Sequence, residues 1–305
     1  MPLPQMIRRN ASPLSMPTQS NYSELHRQGI AALKAVQNDM AALDARLLLC
    51  LAVGISHEKL VADGDVIATE SEAAQFNALI KRRAAGEPIS RILGTREFWG
   101  LEFQLVPETL IPRPDSEAIV SKVLDLVKDR QAPLRILDLG TGSGCLLLAL
   151  IYEFPTATGI GIDVSEAALG VATRNADHLG LAARVDFQQG HWGQDLTQEF
   201  DIVVSNPPYI PTAEVGQLSV EVRDFDPARA LDGGEDGMVC YRDILKQLPD
   251  LLCQHGIAAF ETSPDLYTEL RELVDCQGQF DQIEAIKDIA DRYRGLSFRK
   301  RDFAR

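Results

Sequence analysis

From about residue 134 onward, short apolar segments alternate with longer segments of helical periodicity. Helices are predicted at residues 145–153, 166–179 and 239–252, and strands at 134–137, 158–162, 185–187, 202–205, 257–260, 280–286 and 295–298. Strands that alternate with helices in this way form a mostly parallel sheet with helices on both faces. The chain is therefore predicted to be an α/β protein whose ligands bind at the carboxyl ends of the strands.

The region before this alternation shows helical spacing instead. Leu25, Ile30 and Leu33 recur on one side of a first helix, and Ser71 is predicted to be the N-cap of a third. Residues 97–105 predict two short strands around a glycine turn, and a helix is predicted to open at 110–117.

These patterns divide the chain into four predicted parts. Residues 1–20 are predicted to be a disordered tail, because their prolines break any helix. A helical domain at 21–92, a β-hairpin linker at 93–112 and the α/β domain at 113–305 are predicted to follow. The basic residues 299–301 are expected to form a solvated end.

Charge and cysteine content exclude several classes of protein. Acidic residues outnumber basic ones 44 to 30, giving a net charge of −14, which disfavours broad binding to nucleic acid. The five cysteines are scattered without a C-x-x-C pair, so no metal site or disulfide framework is expected. The longest apolar run, 146–151, is too short to span a bilayer. A cytoplasmic location is predicted, with mitochondrial import as an alternative, since residues 1–23 carry two arginines and no acid.

A glycine-rich segment, residues 136–144, leaves the first predicted strand and enters a helix. Glycines at such a junction let a ligand approach the backbone, and a helix N-terminus offers unpaired N–H groups. The spacing matches neither the dinucleotide motif G-x-G-x-x-G nor a Walker loop. Asp163 ends the next strand about twenty residues on, where an acid can bind a ribose. This pattern predicts a nucleoside ligand without a pyrophosphate, such as S-adenosylmethionine; the alternative is a tight turn followed by an acid.

A second motif, Asn206-Pro207-Pro208-Tyr209, directly follows another apolar strand. The asparagine oxygen can accept a hydrogen bond, the prolines donate none, and the tyrosine ring can stack on a planar amide or base. The alternative is an ordinary Pro-Pro turn. Because the motif lies beyond the carboxyl end of a strand, we expect it to surround the same cavity as the glycine loop and Asp163.

Together these motifs resemble the class I S-adenosylmethionine-dependent methyltransferases that modify planar nitrogen. The stretches at residues 86–89, 94–100 and 111–117 narrow the resemblance to the HemK/PrmC family, which methylates the glutamine of the Gly-Gly-Gln motif in peptide chain release factors. The resemblance covers about residues 22–300. It implies a Rossmann-like, mostly parallel seven-stranded sheet, a small N-terminal helical domain, a β-hairpin linker and a role in translation termination. The implied product of the cofactor is S-adenosylhomocysteine.

The resemblance also implies roles for individual residues. Cofactor contacts are implied for Gly140, Thr141, Gly142, Ser143, Gly144, Asp163 at the ribose, Trp192 at the adenine, and Asn206. Binding of the glutamine is implied for Asn206, Pro207, Pro208 and Tyr209, of which Asn206, Pro207 and Tyr209 are the catalytic candidates. The chain departs from the family at His191, where an acid is frequent, and at Ser263, where glycine is common.

Three other functions stay open at this point. An adenine-methylating DNA enzyme would share the Asn-Pro-Pro-Tyr motif, although the negative charge opposes it. A methyltransferase acting on a glutamine of a ribosomal protein would use identical chemistry, and a scaffold that binds the cofactor without turnover is the non-enzymatic alternative. The favoured prediction is a monomer that acts on release factors, with no direct nucleic-acid or membrane partner.

Overall fold

The computed structural model describes residues 20–302. Its internal contacts divide the chain into two units, one ending at Ala85 and the other beginning at Gly86. All of the predicted tail except Ser20 lies outside the described residues. Within residues 20–302, no helix has the length and apolar character needed to cross a membrane.

The first unit is helical, as predicted. Its helices are α1 (Tyr22–Ala35), α2 (Ala41–Val53), α3 (His57–Ala62) and α4 (Glu70–Ala84). The predicted N-cap at Ser71 is wrong: Thr69 caps α4 through a capping box with Glu72, which satisfies two backbone amides reciprocally. The six residues of α3 are too few to show a helical period, so the pattern did not predict it. The buried core of this unit includes Leu25, Leu33, Leu48, Leu49 and Phe76.

The second unit begins with a short helix and the predicted hairpin. Its first elements are α5 (Ile89–Leu93), β1 (Thr95–Phe98), β2 (Leu101–Gln104) and α6 (Glu117–Leu126), the last preceded by a 3₁₀ turn at Pro114–Ser116. β1 and β2 pair antiparallel around Trp99 and Gly100, both in left-handed conformation. Phe98 and Phe103 lie edge to face and are buried, so the hairpin is anchored by its own aromatic pair.

The rest of the second unit is a sheet covered by helices. Its strands are β3 (Arg135–Leu139), β4 (Thr158–Asp163), β5 (Val185–Gln189), β6 (Phe200–Ser205), β7 (Leu252–Glu261), β8 (Phe280–Lys287) and β9 (Tyr293–Lys300). Its helices are α7 (Cys145–Glu153), α8 (Glu166–His178), α9 (Thr212–Val215), α10 (Val220–Arg223), α11 (Val239–Leu251) and α12 (Tyr267–Cys276). The strand order is β5-β4-β3-β6-β7-β9-β8, with only β9 antiparallel to its neighbours. This sheet confirms the predicted α/β class.

Each central strand contributes to two cores, because successive side chains of a strand point to opposite faces. Ile136 and Ile202 belong to one buried cluster, whereas Leu137 and Val203 belong to the other. This burial on both faces explains why these strands are apolar throughout rather than alternating.

The order of the strands fixes where the loops meet. β3 lies between β4 and β6, and all three are parallel, so their carboxyl ends lie side by side. In register, Leu139 at the end of β3 faces Ile162 on one side and Ser205 on the other. From β3 the chain first adds β4 and β5 on one side and then adds β6 and β7 on the other side. Open α/β sheets bind ligands at such a switch in the strand order.

The expectation that residues 299–301 form a solvated end is wrong for Arg299 and Lys300, which are half-buried. Arg299 and Lys300 belong to β9, where they donate to the carbonyls of His255 and Leu252. Arg301 donates to the carbonyl of Phe280. Pairing of β9 with β7 and β8 places the half-buried side chains of Arg299 and Lys300 along the sheet, whereas Arg301 lies beyond the strand and is exposed.

Candidate active site

The glycine loop, residues 140–144, joins β3 to α7 and needs a left-handed backbone at each glycine. The φ angles are +76° at Gly140, +57° at Gly142 and +82° at Gly144. A Cβ at Gly144 would lie 3.1 Å from the Leu148 side chain, while a Cβ at Gly142 would have no atom within 4 Å among the described residues other than 141–143. The loop is therefore closely packed against α7 at Gly144, whereas space remains beside Gly142.

The backbone amides at the start of this loop are already hydrogen-bonded within the protein. Gly140 and Thr141 donate to the carbonyl of Ile162 at 2.8 and 2.9 Å, and Gly142 donates to Oδ2 of Asp163 at 2.9 Å. The end of β4 accepts all three of these amides. At residues 140–142 the loop therefore contributes shape rather than free N–H donors.

Asp163 holds two backbone turns and keeps acceptor capacity. Its Oδ1 accepts from the amide of Ser165 at 2.9 Å, while Oδ2 accepts from Gly142. Each carboxylate oxygen has two lone pairs, so each can accept one further hydrogen bond. The half-buried carboxylate at the end of β4 therefore suits a pair of sugar hydroxyls.

Trp192 provides an aromatic wall beside the glycine loop. Its ring lies 3.3 Å from the position that a Cβ on Gly140 would occupy, so a glycine is needed for the two to meet. The backbone of Trp192 is left-handed, and the next residue is tied down by a hydrogen bond from the Gly193 amide to Gln247. His191 lies edge to face with the indole ring, with 5.8 Å between centroids. The indole ring thus offers the cavity an aromatic surface on which a planar base can stack.

The Asn-Pro-Pro-Tyr segment is fixed at the end of β6. The hydroxyl of Ser205 donates to the carbonyl of Leu139 at 2.7 Å and thereby joins the ends of β6 and β3. The Asn206 carboxamide donates from Nδ2 to Oγ of Ser116 at 3.3 Å. Pro207, the second residue of the segment, is buried. This arrangement leaves Oδ1 of Asn206 as the acceptor side of the carboxamide.

A cavity of about 310 Å³, named the donor cavity, brings most of the predicted residues together. Residues 140–143, Asp163, Trp192, Asn206 and Pro208 all line it. Three predicted residues do not line it: Gly144, Pro207 and Tyr209. The ends of β3, β4 and β6 thus surround a common space, as their positions in the sheet predicted.

A second cavity, of about 220 Å³, is named the acceptor cavity. Its walls are mainly aliphatic, with polar groups from four side chains. The aliphatic members are Leu110, Ile210, Leu218, Val222, Ala230 and Leu231, and the polar ones are Arg113, Asn206, Tyr209 and Glu261. Asn206 and Arg113 line both cavities, so the two spaces adjoin at these side chains.

Glu261, at the end of β7, is a buried acid in the acceptor cavity. Burial raises the pKa of its carboxyl to about 7, and the negative charge of Asp115 acts in the same direction. Its Oε1 accepts from the Tyr209 hydroxyl at 3.5 Å, while Oε2 has no hydrogen-bond partner within residues 20–302. Burial also raises the pKa of the Tyr209 hydroxyl, so the tyrosine stays protonated.

Asp138, a buried residue near the end of β3, is a site residue that the sequence reasoning did not single out. Burial raises the pKa of its carboxyl to about 7. Oδ2 accepts from the Thr141 hydroxyl at 2.7 Å, whereas Oδ1 lacks a hydrogen-bond partner in the described part of the chain. Asp138 lines the donor cavity, but this oxygen is itself buried. The feature of the sequence that could have identified Asp138 is an acidic residue near the end of an apolar strand.

Asp226 anchors the segment that leads into α6, and no motif predicted it. Its buried carboxylate accepts from Arg91 at 2.9 Å, from Arg113 and from the backbone amide of Ile111. Two guanidinium groups on one buried carboxylate form a strong charge-assisted cluster. The cluster holds Arg113 where it lines both cavities.

The donor set fits S-adenosylmethionine rather than a nucleotide. Carboxylates of Asp138 and Asp163 line the donor cavity, and the loop amides next to them are already used. Such surroundings favour a cationic ligand with sugar hydroxyls and an aromatic base over one bearing phosphates. The open position at Gly142 gives the ligand room beside the backbone.

Comparisons with known proteins identify the family to which the chain belongs. A sequence model of the PrmC N-terminal domain matches residues 24–94, and one of a methyltransferase domain matches residues 131–271. The release factor glutamine methyltransferase of Bradyrhizobium diazoefficiens is 42% identical over 290 residues, covering 94% of this chain and 98% of that protein. The chain belongs to the release factor glutamine methyltransferase family. The family member from Rhodospirillum rubrum is 42% identical over 274 residues, covering 90% of this chain and 83% of that protein.

The family resemblance drawn from the motifs is therefore confirmed. A solved structure of the hMettl16 catalytic domain, in complex with MAT2A 3′UTR hairpin 6, has a TM-score of 0.56 to this member of the family. The two are 17% identical, and the match covers 71% of this chain and 83% of that one. At this identity the likeness shows the fold alone, which is that of a class I methyltransferase.

Proposed function

We propose that this protein transfers a methyl group from S-adenosylmethionine to the side-chain amide nitrogen of the glutamine in the Gly-Gly-Gln motif of peptide chain release factors. The observation that carries the proposal is the place of Asn206. Its carboxamide lines both the donor and the acceptor cavity, so it can contact a methyl donor on one side and an amide on the other. Membership of the release factor glutamine methyltransferase family supports the same substrate.

The donor cavity would hold the cofactor through residues of three strand ends. We assign the ribose to Asp163, the adenine to Trp192, and the close backbone approach to residues 140–144. Asp138 lines the same cavity beside these residues. When bound, S-adenosylmethionine supplies an electrophilic methyl group on a sulfonium.

Asn206 and Pro207 would orient the substrate amide. An amide nitrogen is a weak nucleophile because its lone pair is delocalised into the carbonyl. Since Nδ2 of Asn206 is bonded to Ser116, Oδ1 remains to accept one amide hydrogen, and the Pro207 carbonyl would accept the other. Two acceptors fix the amide plane so that the lone pair faces the methyl group, which accelerates transfer by orientation and preorganised dipoles. No strong base is required, because the nitrogen becomes acidic as it is methylated.

The acceptor cavity would take the glutamine side chain and the small residues beside it. Its aliphatic walls exclude water around the amide, and its volume of about 220 Å³ suits a side chain rather than a flipped base with its sugar. Tyr209, expected from the motif to supply a stacking ring, lies in this cavity with its hydroxyl toward Glu261. We propose that Tyr209 forms part of the wall against which the glutamine packs.

The test is methyl transfer to candidate substrates offered side by side. Purified protein and isotope-labelled S-adenosylmethionine are incubated with a release factor, with the same factor carrying alanine in place of the motif glutamine, with ribosomal proteins and with DNA. Mass spectrometry is expected to find one added methyl group on the motif glutamine of the intact factor only. Label on DNA or on a ribosomal protein, with none on the release factor, would contradict the proposal.

The partner and location follow from this substrate. We propose that the helical unit, residues 20–85, and the hairpin contact the release factor while its glutamine loop enters the acceptor cavity. We also propose that the protein acts as a monomer in the cytoplasm, where release factors work, without direct contact to nucleic acid. Equal activity of a folded variant lacking residues 1–85 on the whole release factor would contradict the docking role.

A further inference from the structure

Asn175 carries a fully buried carboxamide on α8. Asparagine is unfavourable within a helix, because its short polar side chain competes with the backbone for hydrogen bonds. A buried amide also gives up its hydrogen bonds to water, so it needs partners within the fold. The reason for an asparagine at this position therefore lies in its contacts outside the helix.

The carboxamide makes three hydrogen bonds to the main chain of two other segments. Its Oδ1 accepts from the backbone amide of Gln104 at 2.8 Å, and its Nδ2 donates to the Gln104 carbonyl at 3.2 Å. Nδ2 also donates to the carbonyl of Ser143 at 2.9 Å. Because an amide nitrogen carries two hydrogens, one is available for the end of β2 and one for the glycine loop.

The two segments that Asn175 joins form two walls of the donor cavity. Ser143, in the glycine loop, lines the cavity itself. Gln104 ends β2, and the connection that follows it reaches a second part of the lining at residues 108–110. Asn175 therefore ties one wall of the cavity to the start of the other.

Other contacts fix the parts on either side of this tie. α8 packs directly against the glycine loop, since a Cβ at Gly144 would lie 3.2 Å from the Cβ of Ala172, one turn before Asn175. Arg91 holds the far end of the connection by donating to two of its carbonyls, at residues 106 and 109. With these parts held, the hydrogen bonds of Asn175 set the distance between the two walls.

We infer that Asn175 is a positioning residue for the cofactor, which holds the glycine loop and the connection after β2 at the separation that S-adenosylmethionine needs. The inference rests on the proposed place of the cofactor in the donor cavity. Asn175 is not among the described residues that line this cavity, so it acts through the main chain of Ser143 and Gln104. Without the carboxamide, buried groups of both walls would lose their partner, and the arrangement that binds the cofactor would be less populated.

The first experiment measures the affinity of N175A for S-adenosylhomocysteine by calorimetry. The dissociation constant is expected to rise about tenfold, because only a minor part of the population then has the binding arrangement. The matched control is R184M. Arg184 also makes three hydrogen bonds to the main chain, from Nη1 to the carbonyls of Ile151, Phe154 and Ala157, but it does so near the amino end of β4.

The control separates positioning from a general loss of stability. R184M should keep the wild-type dissociation constant even if its melting temperature falls as far as that of N175A. An unchanged dissociation constant in folded N175A would overturn the inference, and so would an equal rise in R184M.

The second experiment needs no variant, because it follows hydrogen exchange in the wild-type protein. S-adenosylhomocysteine should slow exchange of the Gln104 amide more than exchange of the Arg135 amide. A side-chain oxygen accepts from each, from Asn175 at 2.8 Å and from Asp201 at 2.7 Å, but Arg135 begins β3 at the other edge of the sheet. The comparison removes the protection that any ligand gives by stabilising the folded state. Equal slowing at both amides would overturn the inference.

Failure of the proposed cofactor site would give a different result. A wild-type protein that binds no S-adenosylhomocysteine would contradict the proposed function. Exchange in the free protein would still decide the inference, because the Gly142 amide should exchange faster in N175A than in the wild-type protein or in R184M. The same exchange rate in all three proteins would overturn it.

Discussion

Asn206 is the side chain on which the proposed chemistry depends most directly. In N206A, kcat for release factor methylation should fall about 100-fold, because one preorganised acceptor at the reacting group is lost. The dissociation constant of S-adenosylhomocysteine, measured by calorimetry, should change much less, since the glycine loop and Asp163 stay in place. A fall in kcat of less than about tenfold would contradict the role given to Asn206.

Asp163 should govern the affinity for the cofactor. D163N keeps the size of the side chain but replaces one acceptor oxygen with a donor, so one of the ribose or loop hydrogen bonds is lost. The dissociation constant of S-adenosylhomocysteine should rise about tenfold, the effect of one charge-assisted hydrogen bond. Calorimetry measures this, and an unchanged affinity would exclude the ribose contact.

At the scale of residues, the sequence predicted the parts of the site that are local motifs. It did not predict the parts that depend on contacts between side chains far apart in the chain. The glycine loop, Asp163 and Asn206 could be found because each directly follows or ends a strand in sequence. Ser116 and Glu261 could not be assigned in this way, since Ser116 meets a residue 90 positions away. Such pairs depend on the sheet order, which alternation alone does not determine.

Among the structural elements, the segment between β2 and α6 depends on one buried carboxylate. D226N removes the negative charge that Arg91 and Arg113 share, so it leaves two guanidinium groups without their anion. The free energy of unfolding should fall by about 3 kcal/mol, the usual cost of breaking a buried ion pair. Chemical denaturation measures this.

The matched control for this change is two residues away. Asp224 is also an aspartate paired with an arginine, but its partner Arg223 and its own side chain are exposed. D224N should therefore leave the free energy of unfolding almost unchanged, because surface pairs contribute little. Equal losses in D226N and D224N would contradict the anchoring role of Asp226.

The element boundaries show what periodicity can and cannot predict. Long apolar segments such as α7 were predicted to the residue, because its helix begins directly after a glycine loop. The helices α9, α10 and α12 were not predicted: the first two have only four residues, whereas α12 does show the helical spacing of Leu270, Leu273 and Val274 and was missed. The placement of Arg299 and Lys300 was wrong because strand pairing, not charge, decides where they lie.

For the whole molecule, two buried carboxyls predict an unusual dependence of stability on pH. Burial raises the pKa of both Asp138 and Glu261 to about 7 in the folded protein, well above their ordinary values. Between about pH 4 and pH 7 the folded state therefore binds more protons than the unfolded state. The free energy of unfolding should fall as the pH rises across this window, by up to roughly 3 kcal/mol for each group, and level off above it.

Urea denaturation at a series of pH values measures this dependence. E261Q removes one of the two groups, so its free energy of unfolding should fall less steeply between about pH 4 and pH 7. The same slope in E261Q and in the wild-type protein would show that Glu261 does not hold its proton in the folded state.

The hydrogen bonds of the glycine loop have a consequence for how the protein binds its cofactor. Three of its amides are hydrogen-bonded to the end of the neighbouring strand β4, so the loop has its shape before a ligand binds. Binding to a surface that is already ordered loses little backbone entropy. S-adenosylhomocysteine can then be exchanged for S-adenosylmethionine without unfolding and refolding of the loop between one turnover and the next.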